Sequence, residues 1–294
     1  LHPGGGFTVA AAGAMCVGMR SAAAAALLAC ATLSAGPAAA HGNAFTGEGA
    51  HAPIWASQGL FAAAWLGYMW GAILRRPDPA RRALFHCAML LAGLALFGPF
   101  DDMAGSSTAW HMVQHMLLIV AVAPLAVLAR PLPQWRAVVG RRIDGVWRGV
   151  QALTRRPMLC ALLHAAAIWI WHAPGPYMAA VMFNGWHVLE HASFLCTGWL
   201  FWWAVLRPGT ARALQATLAL LFTVMHTGLL GALLTFAPVV LYAGESRELW
   251  DQQLAGLVMW IPGGAIYLLA AAWVGFRWLG SAGAVAPRHT TVWQ

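Results

Sequence analysis

Seven apolar stretches, each close to the length of a membrane-crossing helix, alternate with short polar connections along the chain. They run over Trp55–Leu74, Ala83–Phe100, Trp110–Leu128, Met158–Ala173, Gly185–Leu206, Ala213–Leu234 and Asp251–Phe276. About 20 apolar residues are needed to cross the hydrocarbon core, and a lone strand could not satisfy its backbone there. A membrane β-barrel would show alternating segments of about ten residues, and the pattern here is different. The pattern therefore predicts an all-α integral membrane protein with seven transmembrane helices. In the longest connection, about 129–157, Trp135, Val139, Ile143, Val146, Trp147, Val150 and Leu153 recur at helical spacing with arginines between them. This predicts one interfacial helix between spans three and four, its cations facing anionic membrane lipid. Pro124, Pro238 and Pro262-Gly263-Gly264 predict kinks or breaks.

Residues 1–40 read separately from the membrane domain 41–294. Met19-Arg20, the apolar run Ala22–Leu33 and Ala38-Ala39-Ala40 follow the order of a signal peptide cleaved after Ala40, with 1–18 as an upstream extension. Two other readings stay open: a lipoprotein box Leu27–Cys30 with Cys30 lipidated, or an uncleaved first helix.

Composition agrees with the pattern. Hydrophobic residues make up 61% of the 294 and charged residues only 9%, which excludes both an ordinary soluble domain and a disordered chain. The net charge is +8, and the arginines explain it by position. Fifteen of them lie in connections 75–82, 130–156 and 207–212 and after span seven, whereas the opposite connections hold only Arg247 beside Asp101, Asp102, Glu245 and Glu248. The positive-inside rule then gives an N-out/C-in orientation, and no nucleic-acid partner is needed. Tryptophans at the predicted ends of the spans fit the same frame. The expectation is a multi-pass protein of the bacterial cytoplasmic (inner) membrane with its N-terminus on the periplasmic side.

Histidines carry the candidate chemistry. His111 and His115 are four residues apart on span three, so they share a helix face about 6 Å apart along the axis. His187 and His191 repeat the spacing on span five, span four ends at His172, and span seven begins at Asp251. Five imidazoles and one carboxylate thus fall at similar depth near the outer boundary. Polar groups inside a bilayer are costly and mark function, and an i, i+4 histidine pair can chelate one metal ion. His111, His115, His172, His187 and His191 are the candidate metal ligands, and Asp251, Glu190, Met112 and Met116 are accessory candidates. Imidazoles suit a transition metal and thioethers favour Cu(I); Glu190, inside the turn of the second pair, reads as a group orienting a ligand or pairing with an arginine or a buried water. Each feature has a plainer reading: a histidine at a membrane interface, methionine as packing filler, and Asp251 as a helix cap. His164 and His226 fall near mid-span, where interhelical hydrogen bonding is expected. Cys87, Cys160 and Cys196 read as buried small hydrophobes. No catalytic acid–base pair, nucleophile elbow or phosphate loop stands out, so the chain reads as a non-enzyme.

At these residues the sequence resembles the multi-spanning CtaG family of cytochrome c oxidase assembly factors. The matching stretches are His111-Met-Val-Gln-His115-Met-Leu-Leu with Ala123-Pro124-Leu125, Trp171-His172-Ala173-Pro174, His187-Val-Leu-Glu190-His191-Ala-Ser-Phe194 and Phe201-Trp-Trp203. Leu230-Gly231-Ala232-Leu233-Leu234 and Asp251-Gln-Gln-Leu-Ala-Gly256 through Met259-Trp260-Ile-Pro262-Gly-Gly264 complete the set. Ala173 and Gly175-Pro176 depart from the bulkier residues expected after Trp171-His172. The resemblance implies a seven-helix protein needed to mature haem–copper oxidases, with cytochrome c oxidase subunits as partners and copper delivered to the oxidase copper centre. Two other readings of the histidines stay open: a haem-binding redox protein with one axial ligand from each of two helices, such as His115 and His191, and a copper permease, since broken helices occur in transporters.

Overall fold

A computed structural model describes residues 51–207, 209–242 and 248–283; the predicted leader, 1–40, lies outside the described residues. These residues are helical with no strand among them. Helix α1 covers Ala52–Leu74, α2 Pro79–Phe97, α3 Pro99–Ala104 and α4 Thr108–Met116; α4 continues through a π-helical turn, Leu117–Val122, into α5, Ala123–Ala129. Helices α6 (Leu132–Val139), α7 (Asp144–Thr154), α8 (Pro157–Trp171) and α9 (Pro174–Met182) follow. The remainder is α10 (Asn184–Leu206), α11 (Ala213–Thr235), α12 (Leu249–Val258), a second π turn (Met259–Gly263) and α13 (Gly264–Gly283).

Each predicted apolar segment is helical. Four stretches are long and apolar enough to cross a membrane: Pro79–Ala104, Thr108–Ala129, Ala213–Thr235 and Leu249–Gly280; α8 with α9 makes a fifth if that bent pair is one span. The chain is thus an α-helical membrane protein. Helices α1 and α10, each 23 residues long, have the length, but tryptophan, glycine, histidine and Glu190 dilute their apolar character.

Three local features depart from the periodic reading. Span two ends at Phe97 rather than Phe100, and a short helix restarts at Pro99; a Cβ at Gly98 would come within 2.8 Å of the Leu94 carbonyl oxygen. The chain bends by 72° between α8 and α9, so 174–182 forms a helix that the sequence pattern leaves as a connection. The expected single interfacial helix is two helices, because Gly140 takes a left-handed φ of 74° between α6 and α7. Helix α6 is docked on α1: Trp135 Nε1 donates to the Ala64 carbonyl at 3.0 Å and Gln134 Nε2 to the Arg75 carbonyl at 3.1 Å.

Both π turns occur where proline interrupts the backbone ladder. Proline has no N–H and clashes with the preceding turn, so the helix widens locally. At Pro124 the widened pattern leaves the Ile119 carbonyl without its i+5 donor; the Trp202 indole supplies one at 2.7 Å. The second turn contains Pro262. The apolar core joins α4, α5, α8, α10, α11 and α13 around Phe194, Phe201, Trp202, Leu220 and Tyr267, with Trp202 and Tyr267 stacked at 5.4 Å. Where α11 crosses α12, a Cβ on Gly256 would lie 2.5 Å from the Gly231 carbonyl oxygen, so only glycines allow this backbone approach.

His164 makes the interhelical contacts expected of a mid-span histidine: its Nδ1 lies 3.0 Å from the Thr197 hydroxyl and its Nε2 3.5 Å from the Tyr267 hydroxyl. His226 is buried with both ring nitrogens lacking a hydrogen-bond partner among the described residues. His86 accepts from Trp65 Nε1 at 3.1 Å if its Nδ1 is unprotonated.

Candidate metal centre

Helices α4 and α10 lay their i, i+4 pairs against each other. His111 and His115 have ring centroids 4.3 Å apart, and His187 and His191 4.2 Å. Across the helices the separations are 5.6 Å for His111–His187, 6.5 Å for His111–His191 and 5.3 Å for His115–His191. One ligand atom each from His111, His187, Glu190 and His191 falls within 4.8 Å of all the others. His111, Glu190 and His191 are buried, and His187 is partly exposed.

Glu190 is fully buried at the middle of this group. Its Oε2 lies 3.5 Å from His111 Nε2 and 3.5 Å from His115 Nε2. Neither carboxylate oxygen has a hydrogen-bond partner of normal geometry among the described residues. Glu190, an accessory candidate in the sequence, lies with the imidazoles because residue 190 shares the inward face of α10 with 187 and 191. A buried carboxylate is costly without compensating charge. Three imidazoles and one carboxylate are a donor set for a borderline transition metal, and the buried Glu190 oxygens and His191 Nε2, without hydrogen-bond partners among the described residues, fit such an ion.

The scaffold fixes both helices. Trp171 Nε1 donates to the Ser193 hydroxyl at 2.7 Å, and that hydroxyl donates to the Glu190 carbonyl at 2.7 Å. Gln114 Nε2 holds α4 through the Ala95 carbonyl at 2.7 Å and Asp101 Oδ1 at 2.9 Å. Tyr177 of α9 stacks on Tyr242 with centroids 3.8 Å apart and approaches the His111 ring at 5.5 Å. The Tyr242 hydroxyl donates to the His172 carbonyl at 3.2 Å. Tyr242 lies outside the spans; burial first, and the Glu190 charge second, raise its phenol above the ordinary tyrosine range. This tyrosine pair carries no periodic signal in the sequence, because both rings come from connections between spans.

The other candidates separate. His115 and His172 are buried beside the four-residue group with ring centroids 6.4 Å apart, but neither is in it. Asp251 spends its carboxylate on α4: Oδ1 accepts from the Ser107 hydroxyl at 2.6 Å and the Ala109 amide at 3.3 Å, and Oδ2 from the Thr108 amide at 2.5 Å. It caps the neighbouring span rather than its own. Met116 aims its sulfur at the second π turn, 3.0 Å from where a Gly263 Cβ would be. Met112 is in the apolar core.

A polytopic α-helical membrane protein with a buried nest of imidazoles around one carboxylate is the class that fold and site define. The family model of the cytochrome c oxidase caa3 assembly factor (Caa3_CtaG) matches residues 66–281. The chain belongs to this family and, with it, to the assembly factors of cytochrome c oxidase. No curated protein and no solved structure gives a significant match to it.

Proposed function

We propose that this assembly factor binds copper as cargo at His111, His187, Glu190 and His191 and passes it to the copper centre of cytochrome c oxidase, without catalysing a reaction of its own. The observation that carries the reading is the convergence of three imidazoles and a buried carboxylate within 4.8 Å. Seven helices crossing the inner membrane N-out/C-in put that group at the periplasmic side, where the arginine distribution places the poorly charged connections. Neutral imidazoles and the carboxylate of Glu190 supply the donors, and Phe194 packs against the neighbouring His115 ring at 4.8 Å.

The compact group favours a single small ion over haem. Haem takes its two axial imidazoles from opposite faces, with a broad flat macrocycle between the rings. The His115 and His191 rings are 5.3 Å apart, and both lie against the His111 ring.

Copper content of the purified protein, beside a His111→Ala/His191→Ala variant, tests the reading. Copper bound by the wild type and lost with oxidase maturation in the variant is the expected result. A variant with unchanged copper would remove the cluster as the cargo site.

A further inference from the structure

We propose a second metal position formed by His115 and His172, with the Glu190 carboxylate shared between it and the four-residue group. The inference rests on reading that group as a metal site and extends it from one ion to two.

His172 is the first indication. Its Nδ1 lies 2.7 Å from the Ile168 carbonyl oxygen. A carbonyl only accepts, so Nδ1 carries the proton and, in the neutral ring, Nε2 holds the lone pair. That Nε2 is buried and has no hydrogen-bond partner among the described residues. A backbone acceptor on one ring nitrogen and an open lone pair on the other is the arrangement in which histidine ligates metals.

His115 supplies the opposite side. It is 1% exposed, and neither of its ring nitrogens has a hydrogen-bond partner among the described residues. Buried polar groups are nearly always satisfied, so adjacent imidazoles in this state point to a ligand that they share. With metal–nitrogen distances of about 2 Å, two imidazoles on one ion place their ring centres about 5 to 6.5 Å apart; His115 and His172 are at 6.4 Å. The upper end of that range corresponds to a wide N–metal–N angle, which suits a d10 ion such as Cu(I).

Glu190 links the two positions. One oxygen is equidistant, at 3.5 Å, from His111 Nε2 in the four-residue group and His115 Nε2 outside it. A carboxylate with four lone-pair sites can serve both ions. The first position includes the partly exposed His187, and the second uses only buried rings, so an ion at the second position sits deeper.

Anaerobic titration of the full-length protein in detergent with Cu(I), against a chromophoric Cu(I) chelator, counts the ions; elemental analysis after desalting checks the count. The wild type is expected to bind two ions, and His172→Gln and His111→Ala/His191→Ala one each. His115→Gln, also expected to bind one, repeats the test should His172→Gln lose its helical circular dichroism. A wild type that saturates at one ion, retained by His172→Gln and lost in the double variant, overturns the second position and leaves the first standing. No bound copper in the wild type overturns both.

Discussion

The Trp202 indole donates to the Ile119 carbonyl across 2.7 Å, closing a gap that a proline opens in another helix. Without an N–H at Pro124, the π turn leaves that carbonyl buried and unpaired. Trp202→Phe is therefore expected to cost about 1–3 kcal/mol, the penalty for a buried unsatisfied group, read as a shift in unfolding in detergent. Pro124→Ala returns a donor to the ladder, so the pair should be coupled by at least about 0.5 kcal/mol. Strictly additive costs in the double-mutant cycle would refute this account of the π turn.

Asp251 caps α4 from a different helix. Asp251→Ala should destabilise the protein by about 1–3 kcal/mol, because the Thr108 and Ala109 amides lose their acceptor. Copper per folded molecule should not change. Copper lost in step with a fully preserved unfolding transition would instead make Asp251 a ligand.

Glu190→Gln keeps the shape of the side chain and removes its charge. Copper affinity should fall at least tenfold, about 1.4 kcal/mol, while the helical content stays as in the wild type. Unaltered affinity in a chelator competition would take the carboxylate out of the site.

Orientation is open to thiol labelling in a variant whose native cysteines are replaced by alanine. Ser106 and Arg142 are both exposed, on opposite sides of the predicted frame. Ser106→Cys should react with a membrane-impermeant reagent on spheroplasts, and Arg142→Cys only after permeabilisation. The reverse pattern would invert the topology.

The Gly231–Gly256 crossing leaves no room for a side chain. Gly256→Ala should lower stability by about 1–3 kcal/mol through forced separation of α11 and α12; an unshifted transition would show that the crossing relaxes freely.

Much of this architecture can be read from the sequence because a bilayer imposes helix length and apolar composition directly. The i, i+4 pairs on α4 and α10 were legible for the same reason: the helical period puts 111 with 115, and 187 with 191, on one face. What periodicity does not carry is the meeting of faces between helices. It offers Asp251 as an accessory metal group or a cap on its own helix, whereas the carboxylate caps α4, and it holds Glu190 as an accessory candidate without showing its approach to His111 and His115 on the other helix. The Gly140 break and the 72° bend after His172 are single-residue backbone events, which leave the apolar pattern on either side unchanged. Met112 and Met116 adjoin the first histidine pair in sequence, but their side chains leave on other faces of α4.

Among the described residues, His187 is the partly exposed member of its four-residue group, and the other three are buried. Under the copper reading proposed above, exchange with a partner starts at that ring, in the first turn of α10, so a protein that loads the cluster and one that empties it compete for the same imidazole.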